Sequence, residues 1–273
     1  MSWTDGPLVV SSYTLGTEIG FAERVRVAAE AGFAGIGLRM ENYREARDAG
    51  LDDAAMLALL DRHGMAVREV EYVTGWATDR DAAQEDRERT VFHMARTFGV
   101  RHVNAGLLEA PPEAVVTGAF AELCRRAEEL VVGLEFMPYS GVPDLLAAWR
   151  VVDGAERENG ALLVDAWHWS RAGSTPADLA AVPGDRIVAV QLCDVLEHPL
   201  APLRAESLGH RLPPGRGFGD VIGMIDALLA RDIAPRVVAV EVISDDLVAR
   251  GPDVAAATAY EAAREVLGKV ACR

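Results

Sequence analysis

Four polar residues interrupt apolar segments that otherwise resemble buried β-strands. They are Glu135, Asp165, Gln191 and Glu241, and each has apolar residues on both sides. The first and second lie 30 residues apart, the second and third 26, and the third and fourth 50. An ionised carboxylate among apolar side chains is costly unless a positive partner meets it. The pattern therefore raises the question of what neutralises three acids that recur at roughly the spacing of one strand–helix unit.

A divalent cation could bind all four side chains. Three carboxylates and one amide oxygen are hard donors, which suit Mg²⁺ or Mn²⁺ in an octahedral shell completed by water or substrate. Without a cation, crowded carboxylates repel and one becomes protonated. A lone buried glutamate is more often salt-bridged than a ligand, but four such residues in register favour a metal. We predict one ion, Mn²⁺ or Mg²⁺ with Co²⁺ as a further option, as the partner of Asp165. This requires that the four side chains are not paired with lysine or arginine instead.

The elements that would position these residues alternate along the chain. Strand-like runs, several nearly continuous in Val, Leu and Ile as in parallel strands covered on both faces, lie at residues 8–15, 35–40, 66–73, 101–108, 131–139, 161–169, 187–195 and 237–244. Helical patterns lie at residues 21–31, 53–63, 85–98, 112–130, 143–159, 218–231 and 253–267. Eight strands separated by helices predict the α/β class and a (β/α)8 TIM barrel. A doubly wound open sheet is the alternative, but its usual GxGxxG turn is absent.

One connection is much longer than the others. Residues 196–217 separate the seventh and eighth predicted strands, at the carboxyl ends where barrel active sites form. A long loop without secondary structure inside a compact domain usually covers or lines a site. No linker or low-complexity segment divides the chain, so we expect one domain over residues 1–273.

Five motifs carry a resemblance to a known family: GLEFMPY, LLVDAWHWSRAG, VQLCD, RLPPGRGFGD and VAVEVIS. Together they resemble the xylose isomerase-like TIM barrel superfamily, the sugar phosphate isomerase/epimerase group, over nearly the whole chain. Its members include keto-sugar 3-epimerases, hydroxypyruvate isomerase, inosose dehydratase, dehydroshikimate dehydratase and a DNA-repair endonuclease. The resemblance implies a metal-dependent enzyme whose partner is a small polyhydroxy carbonyl substrate.

The resemblance implies the same four metal ligands, with one departure. The epimerases of the group use Glu, Asp, His and Glu, and the matching positions here are Glu135, Asp165, Gln191 and Glu241. Glutamine at the third position looks more like the dehydroshikimate dehydratase branch. Some dehydratases of the group also carry a catalytic histidine two residues after the first ligand, where this chain has Met137. The motifs therefore leave the reaction open.

Further positions are candidates for catalysis and substrate binding. His168 matches the family's histidine after the aspartate ligand, and Arg211 matches the arginine ahead of its PGxG turn, so both are expected to face substrate. Trp167 could wall the pocket, although core packing is an equal alternative. Glu71, near the end of the third predicted strand, is a weaker candidate for the opposite wall. His63, His93 and His102 are expected on the far face or the exterior, without a role.

The shared chemistry of the group is proton abstraction next to a carbonyl, through an enediolate that a cation stabilises. Glu135 and Glu241 lie on non-adjacent predicted strands and suit the two bases of an isomerase or epimerase, with His168 placed to orient or protonate a substrate oxygen. In a dehydratase the same enolate would expel a β-hydroxyl. A non-catalytic barrel subunit is the third hypothesis, but it has little need for several mutually repelling acids.

The composition of the chain limits the classes of binding partner that we expect. The formal net charge is −15, and no basic stripe is present, so we expect no nucleic-acid partner. No segment reaches the roughly 18 apolar residues of a spanning helix, and the amino terminus lacks a signal-peptide pattern. Three cysteines (Cys124, Cys193 and Cys272) without a CxxC pair argue for a reducing compartment. We expect a cytoplasmic protein without a membrane partner. Related barrels often self-associate, which leaves a homo-oligomer open.

Overall fold

Eight parallel strands close into one barrel in the computed structural model, which describes residues 3–78 and 80–271. Each strand pairs with its neighbours in sequence, and the first also pairs with the eighth. The strands, β1 to β8, are Val9–Val10, Gly35–Arg39, Ala66–Val73, His102–Gly106, Val131–Glu135, Gly160–Asp165, Ile187–Leu192 and Val237–Val240. The predicted (β/α)8 TIM barrel is confirmed.

Helices surround the barrel, and every predicted helix overlaps an observed one. Further short helices follow the carboxyl ends of several strands or lie in the long connection. The α-helices, α1 to α12, are Phe21–Ala31, Met40–Asp48, Asp53–Arg62, Ala82–Thr97, Glu113–Ala127, Leu145–Gly154, Ala166–Ala172, Pro176–Leu179, Leu203–Gly209, Val221–Leu229, Asp245–Val248 and Pro252–Ala271. Within the described residues, no helix combines the length and the apolarity needed to cross a membrane. Cys124 and Cys193 are buried free thiols, and Cys272 lies outside the described residues.

Several strands end earlier than predicted, and the polar residues of interest lie at those ends. Glu135 and Asp165 are the last residues of β5 and β6, Gln191 is the penultimate residue of β7, and Glu241 directly follows β8. Asp165 and Gln191 are neighbours in the β6–β7 register. Because parallel strands of a barrel end at one rim, these side chains emerge at a common mouth.

The predicted strand over residues 161–169 is wrong beyond Asp165. The side chain of Asp165 accepts a hydrogen bond at 2.9 Å from the backbone N–H of His168, which makes it the N-cap of α7. An aspartate in this position satisfies a backbone donor that the first helical turn leaves free. Trp167 and His168 therefore lie on the first turn of a helix, directly above the end of β6.

The loop over residues 196–217 is not structureless. It contains α9, and the carboxylate of Glu206 in that helix is fully buried. Its Oε1 accepts hydrogen bonds from Nε1 of Trp167 at 3.1 Å and from Nε of Arg171 at 2.8 Å, while Oε2 accepts from the backbone N–H of Leu200 at 2.7 Å. These bonds tie the loop to α7 and hold it over the barrel mouth.

The barrel interior is apolar on one side and polar on the other. The apolar side consists of aliphatic side chains, which are Val9, Ala161, Leu163, Val188, Ala189, Val237 and Ala239. The polar side contains Glu69, His102 and Asn104, all buried. His102 begins β4, at the amino ends of the strands opposite the mouth, but it is buried and not on the exterior. Its Nε2 lies 3.9 Å from a carboxylate oxygen of Glu69. His63 and His93 are exposed, as expected.

The chain leaves the sheet immediately after β1, and a buried arginine fixes the conformation of the segment that follows. Arg24, on α1, is fully buried and donates to the backbone carbonyls of Ser12, Gly16 and Ile19. Burial lowers the pKa of Arg24 to about 10, against the attraction of Glu45 and Glu71. The residues it holds include the turn that places Ser11 at the barrel mouth.

We expect Arg24→Met to lower the free energy of unfolding by about 3 kcal/mol, because it leaves several buried carbonyls without a donor. Urea denaturation followed by circular dichroism measures this loss. The matched control is Arg26→Met on the same helix. Arg26 pairs with the exposed Glu30 and Asp253, and because solvent screens such surface pairs, its loss should cost much less than the loss of Arg24. Equal losses for the two variants would contradict the assigned role of Arg24.

Candidate active site

One guanidinium joins two of the predicted metal ligands. Nη1 of Arg211 donates to Oδ2 of Asp165 at 3.0 Å and to Oε2 of Glu241 at 2.9 Å. Nε of Arg211 donates to the carbonyl of Ser207 at 2.9 Å and Nη2 to its hydroxyl at 3.1 Å, so α9 holds the guanidinium in place. In this structure the positive partner of Asp165 is Arg211 and not a metal ion. The condition set for the metal site, that its side chains are not paired with arginine, is therefore not met at Asp165 and Glu241.

The second carboxylate oxygen of Glu241 is held from the other side of the mouth. Oε1 accepts from Nη2 of Arg39 at 3.2 Å and from Oγ of Ser11 at 3.1 Å. Both groups also reach Oε2 of Glu71, with Nε of Arg39 at 3.0 Å and Oγ of Ser11 at 3.1 Å. A Cβ at Gly37 would lie 2.2 Å from Oε1 of Glu71, so only glycine leaves room for this carboxylate. Glu71, predicted for the opposite wall, is thus connected to Glu241.

Glu135 has a different environment, because no arginine or lysine in the described residues lies within ion-pair distance of it. Its Oε1 is 3.4 Å from Nε2 of His168. Glu135, Asp165 and His168 each offer one atom that could bind a metal ion, and these three atoms lie within 4.8 Å of one another. The rings of Trp167 and Tyr139 pack edge-on against His168, with centroids 5.1 and 5.8 Å away. Two predicted ligands and one predicted catalytic residue therefore form a compact cluster.

Gln191 faces the barrel interior as well as the mouth. Its Nε2 donates to Oε2 of Glu69 at 3.2 Å. Its Oε1 is buried and has no hydrogen-bond partner in the structure. A buried amide oxygen without a donor is unusual and costly, so it indicates a group that awaits a partner.

The two proposed bases differ in their electrostatics. Burial and the nearby charges of Glu241 and Asp165 raise the pKa of Glu135 well above its ordinary value. Burial would also raise the pKa of Glu241, but Arg211 and Arg39 outweigh it and lower that pKa. Burial and repulsion thus favour the protonated form of Glu135, whereas the two arginines favour the ionised form of Glu241. Paired carboxyl groups in opposite environments are typical of acid–base sites.

Burial and nearby charges also shift the pKa values of Asp165, Glu71 and His168. Burial raises the pKa of Asp165 to about 6, although Arg211 opposes the shift. Burial raises the pKa of Glu71 to about 8, against Arg39 and with the repulsion of Glu241. Burial and the charge of Arg211 lower the pKa of His168 well below its usual range, so its imidazole is neutral. A neutral imidazole can accept or relay a proton at Nε2.

The donor set of the mouth fits a divalent cation. Nη1 of Arg211 contacts one carboxylate oxygen of Asp165 and one of Glu241. These two oxygens therefore already face a single shared positive charge. The unpartnered Oε1 of Gln191 and the carboxyl group of Glu135 add oxygen donors at the same rim. The structure brings possible ligand atoms of Glu135, Asp165 and His168 together. Gln191 and Glu241 stay predicted ligands, and an ion bound to both Asp165 and Glu241 would require Arg211 to give up at least one of these two carboxylates.

Sequence reasoning missed several residues of the site. Arg39 ends β2, as Glu135 ends β5 and Asp165 ends β6, and the same position on the strand could have identified it. Its guanidinium stacks on Tyr13, with the ring centroid 3.8 Å away. Glu69, two residues before Glu71 on β3, shares the inward face because side chains alternate along a strand. Ser11 gave no signal in sequence.

The structure contains a sizeable cavity that is remote from these groups. A space of about 560 Å³ opens at the amino ends of the strands, where Val131, Gly160 and Ile187 line it with Arg186 and Arg236. None of the mouth residues borders it. Because barrel active sites form at the carboxyl ends, we assign the chemistry to the mouth.

The closed parallel barrel, with carboxyl groups and a histidine converging at the carboxyl ends of its strands, is the architecture of TIM-barrel enzymes. A sequence profile described as xylose isomerase-like TIM barrel matches residues 25–270. The chain therefore belongs to the xylose isomerase-like TIM barrel family, and the resemblance seen in its motifs is confirmed.

Individual relatives carry different activities. A 3-dehydroshikimate dehydratase of Pseudomonas aeruginosa is 24% identical over 222 residues, which are 76% of this chain and 34% of that protein. The chain thus spans about a third of the length of this curated relative. Among solved structures, the IolI protein with a bound zinc atom aligns with a TM-score of 0.86 and 19% identity over 97% of this chain and 99% of IolI. A D-allulose 3-epimerase from Methylomonas sp. aligns with a TM-score of 0.69 and 16% identity over 93% of this chain and 96% of the epimerase. These structures share the fold.

Proposed function

We propose that the protein is a divalent-metal-dependent isomerase or epimerase that acts on a ketose-like sugar or a related polyhydroxy carbonyl compound. One observation carries the proposal: Glu135, at the end of β5, and Glu241, directly after β8, emerge at the same barrel rim as Asp165, so two carboxyl groups are available to one substrate. Family membership and the zinc-bound IolI structure support a metal in this region. Mn²⁺ and Mg²⁺ suit the all-oxygen donor set best.

A bound divalent cation would polarise the substrate carbonyl and offset the negative charge that develops on its oxygen. The protein supplies the proton transfers. The ionised carboxylate of Glu241 takes the proton from the carbon next to the carbonyl as the C–H bond breaks. The carboxylic acid of Glu135 then delivers its own proton to the opposite face of the same carbon, and His168, 3.4 Å from Glu135, orients a substrate oxygen or relays the proton.

A dehydratase is the second candidate, and two observations favour it. Gln191 occupies the position at which the epimerase branch usually has histidine, and the curated relative reported above is a 3-dehydroshikimate dehydratase. In this alternative, Glu241 removes the same type of proton. The acid of Glu135 then protonates a β-hydroxyl, which leaves as water while a carbon–carbon double bond forms. Both reactions begin when Glu241 removes a proton from the carbon next to the carbonyl. They differ in the atom that Glu135 then protonates, which is the same carbon in the epimerase and the β-hydroxyl oxygen in the dehydratase.

The experiment that tests the proposal is solvent exchange. Protein loaded with Mn²⁺ is incubated with a panel of ketoses in D₂O, and mass spectrometry and NMR follow the carbon next to the carbonyl. We expect deuterium at that carbon together with an isomeric product. In a parallel incubation with dehydroshikimate, an ultraviolet-absorbing aromatic acid would identify the dehydratase instead.

Failure of both reactions has a definite meaning. If neither exchange nor dehydration occurs across the panel, while Mn²⁺ binds, the third hypothesis of a non-catalytic barrel subunit gains support. If Mn²⁺ does not bind and Asp165→Asn changes nothing, the metal site itself is refuted.

A further inference from the structure

A second polar layer lies beneath the mouth, and its centre is Glu69. This residue is fully buried inside the barrel, on β3. In the described residues no arginine or lysine pairs with it. Its two carboxylate oxygens instead accept one amide N–H each, Oε1 from Asn104 at 2.9 Å and Oε2 from Gln191 at 3.2 Å. Nε2 of His102 lies 3.9 Å from Oε1, beyond hydrogen-bond distance. Within the described residues, the side-chain hydrogen bonds to Glu69 therefore come from the two amides.

The contact with Gln191 selects one orientation of that side-chain amide. In the structure the NH₂ group of Gln191, and not its carbonyl oxygen, faces Glu69. With Nε2 fixed on Glu69, the carbonyl Oε1 is turned away from Glu69. That oxygen is buried and has no partner, and Gln191 is the register neighbour of Asp165.

We propose that Glu69 is the positioning residue that makes Gln191 a metal ligand, by holding its amide with the oxygen toward the cation site and the NH₂ group away from it. The inference rests on the proposed function, in which Gln191 is one of four ligands. Asn104 supports the arrangement by occupying the other oxygen of Glu69, which leaves Oε2 for Gln191. Mutating a group that orients a metal ligand typically lowers metal affinity about 10- to 100-fold.

Glu69→Gln tests this directly, because the new amide can accept from Gln191 or donate to it. Either orientation of Gln191 then becomes available, including the one that turns its NH₂ group toward a cation. We expect the affinity for Mn²⁺, measured by electron paramagnetic resonance of the free ion, to fall about 10- to 100-fold. The readout is binding of the bare ion and does not depend on any substrate or on turnover.

A double-mutant cycle separates positioning from a general structural effect. If Glu69 acts through Gln191, Glu69→Gln should change Mn²⁺ affinity in the wild-type background and have no further effect in the Gln191→Ala background. The matched control is Glu88→Gln, which removes the charge of another buried glutamate that pairs with Arg126 outside the barrel. It should leave Mn²⁺ affinity unchanged. Glu69→Asp, which keeps the charge but retracts it by one methylene, serves if the glutamine variant does not fold, with the same expectation.

The outcomes distinguish this inference from the proposed function. Unchanged Mn²⁺ affinity in Glu69→Gln, or the same loss in both backgrounds, overturns the positioning role while leaving the metal site intact. If the protein binds no Mn²⁺, or binds it equally well after Asp165→Asn, the proposed function and this inference are both overturned. A loss of affinity that disappears in the Gln191→Ala background supports both.

Discussion

Replacing Glu241 by glutamine is expected to lower kcat at least about 10³-fold, because the amide cannot take a proton from carbon. The ionised state of Glu241 is built by its surroundings: Arg211 holds one carboxylate oxygen, while Arg39 and Ser11 hold the other. Turnover is measured on whichever substrate the exchange panel identifies, with deuterium exchange as a second readout of the proton abstraction. The rate of deuterium exchange should fall by about the same factor as kcat.

The fold should survive this substitution. Glu241 follows β8, and the barrel closes through backbone pairing of β8 with β1 and β7. Arg211 keeps Asp165 as an ionic partner when Glu241 is neutralised. Glu88→Gln is again the control, since it neutralises a buried glutamate that pairs with an arginine remote from the mouth. Wild-type turnover in Glu241→Gln would refute its role as the base, whereas equal losses in both variants would point to a stability effect.

The barrel and the rim position of the polar residues could be predicted from sequence because both follow from local pattern. Apolar runs that alternate with helices give the strand count, and a polar residue at the end of each run gives its place at the rim. Strand ends were predicted less well, since backbone capping decides them. Asp165 illustrates this, because its cap of α7 ends the strand while the apolar pattern continues through Trp167.

The partners of the site could not be predicted, because they depend on long-range contacts. Arg211 reaches Asp165 across 46 residues and Gln191 reaches Glu69 across 122. No local period connects such pairs. Charge balance alone indicated that something positive must meet Asp165, but it could not distinguish a metal from an arginine on a loop helix. Glu69 is harder still, because alternation on β3 places it inward without indicating which residue it contacts.

Arg211→Met is expected to have the largest effect on stability, and the size of the loss should depend on the metal. The guanidinium is fully enclosed and shared by Asp165 and Glu241. Removing one partner of a buried ion pair leaves uncompensated charge and typically costs about 3–5 kcal/mol. We therefore expect the metal-free variant to unfold at a markedly lower urea concentration than the wild type.

Mn²⁺ should reverse much of that loss, since a divalent ion can neutralise the same two carboxylates. A ligand that binds only the native state stabilises it by about 2.7 kcal/mol at a free concentration 100 times its Kd. Because the variant's carboxylates no longer have to release an arginine, Mn²⁺ should also stabilise Arg211→Met more than it stabilises the wild type. Urea midpoints with Mn²⁺ and with EDTA, for both proteins, measure the difference. Arg216→Met is the control on the same loop, because Arg216 pairs with Glu265 at the surface and lies far from this charge balance. If Mn²⁺ stabilises wild type and Arg211→Met equally, the guanidinium and the cation do not compete for Asp165 and Glu241, and the metal must bind elsewhere.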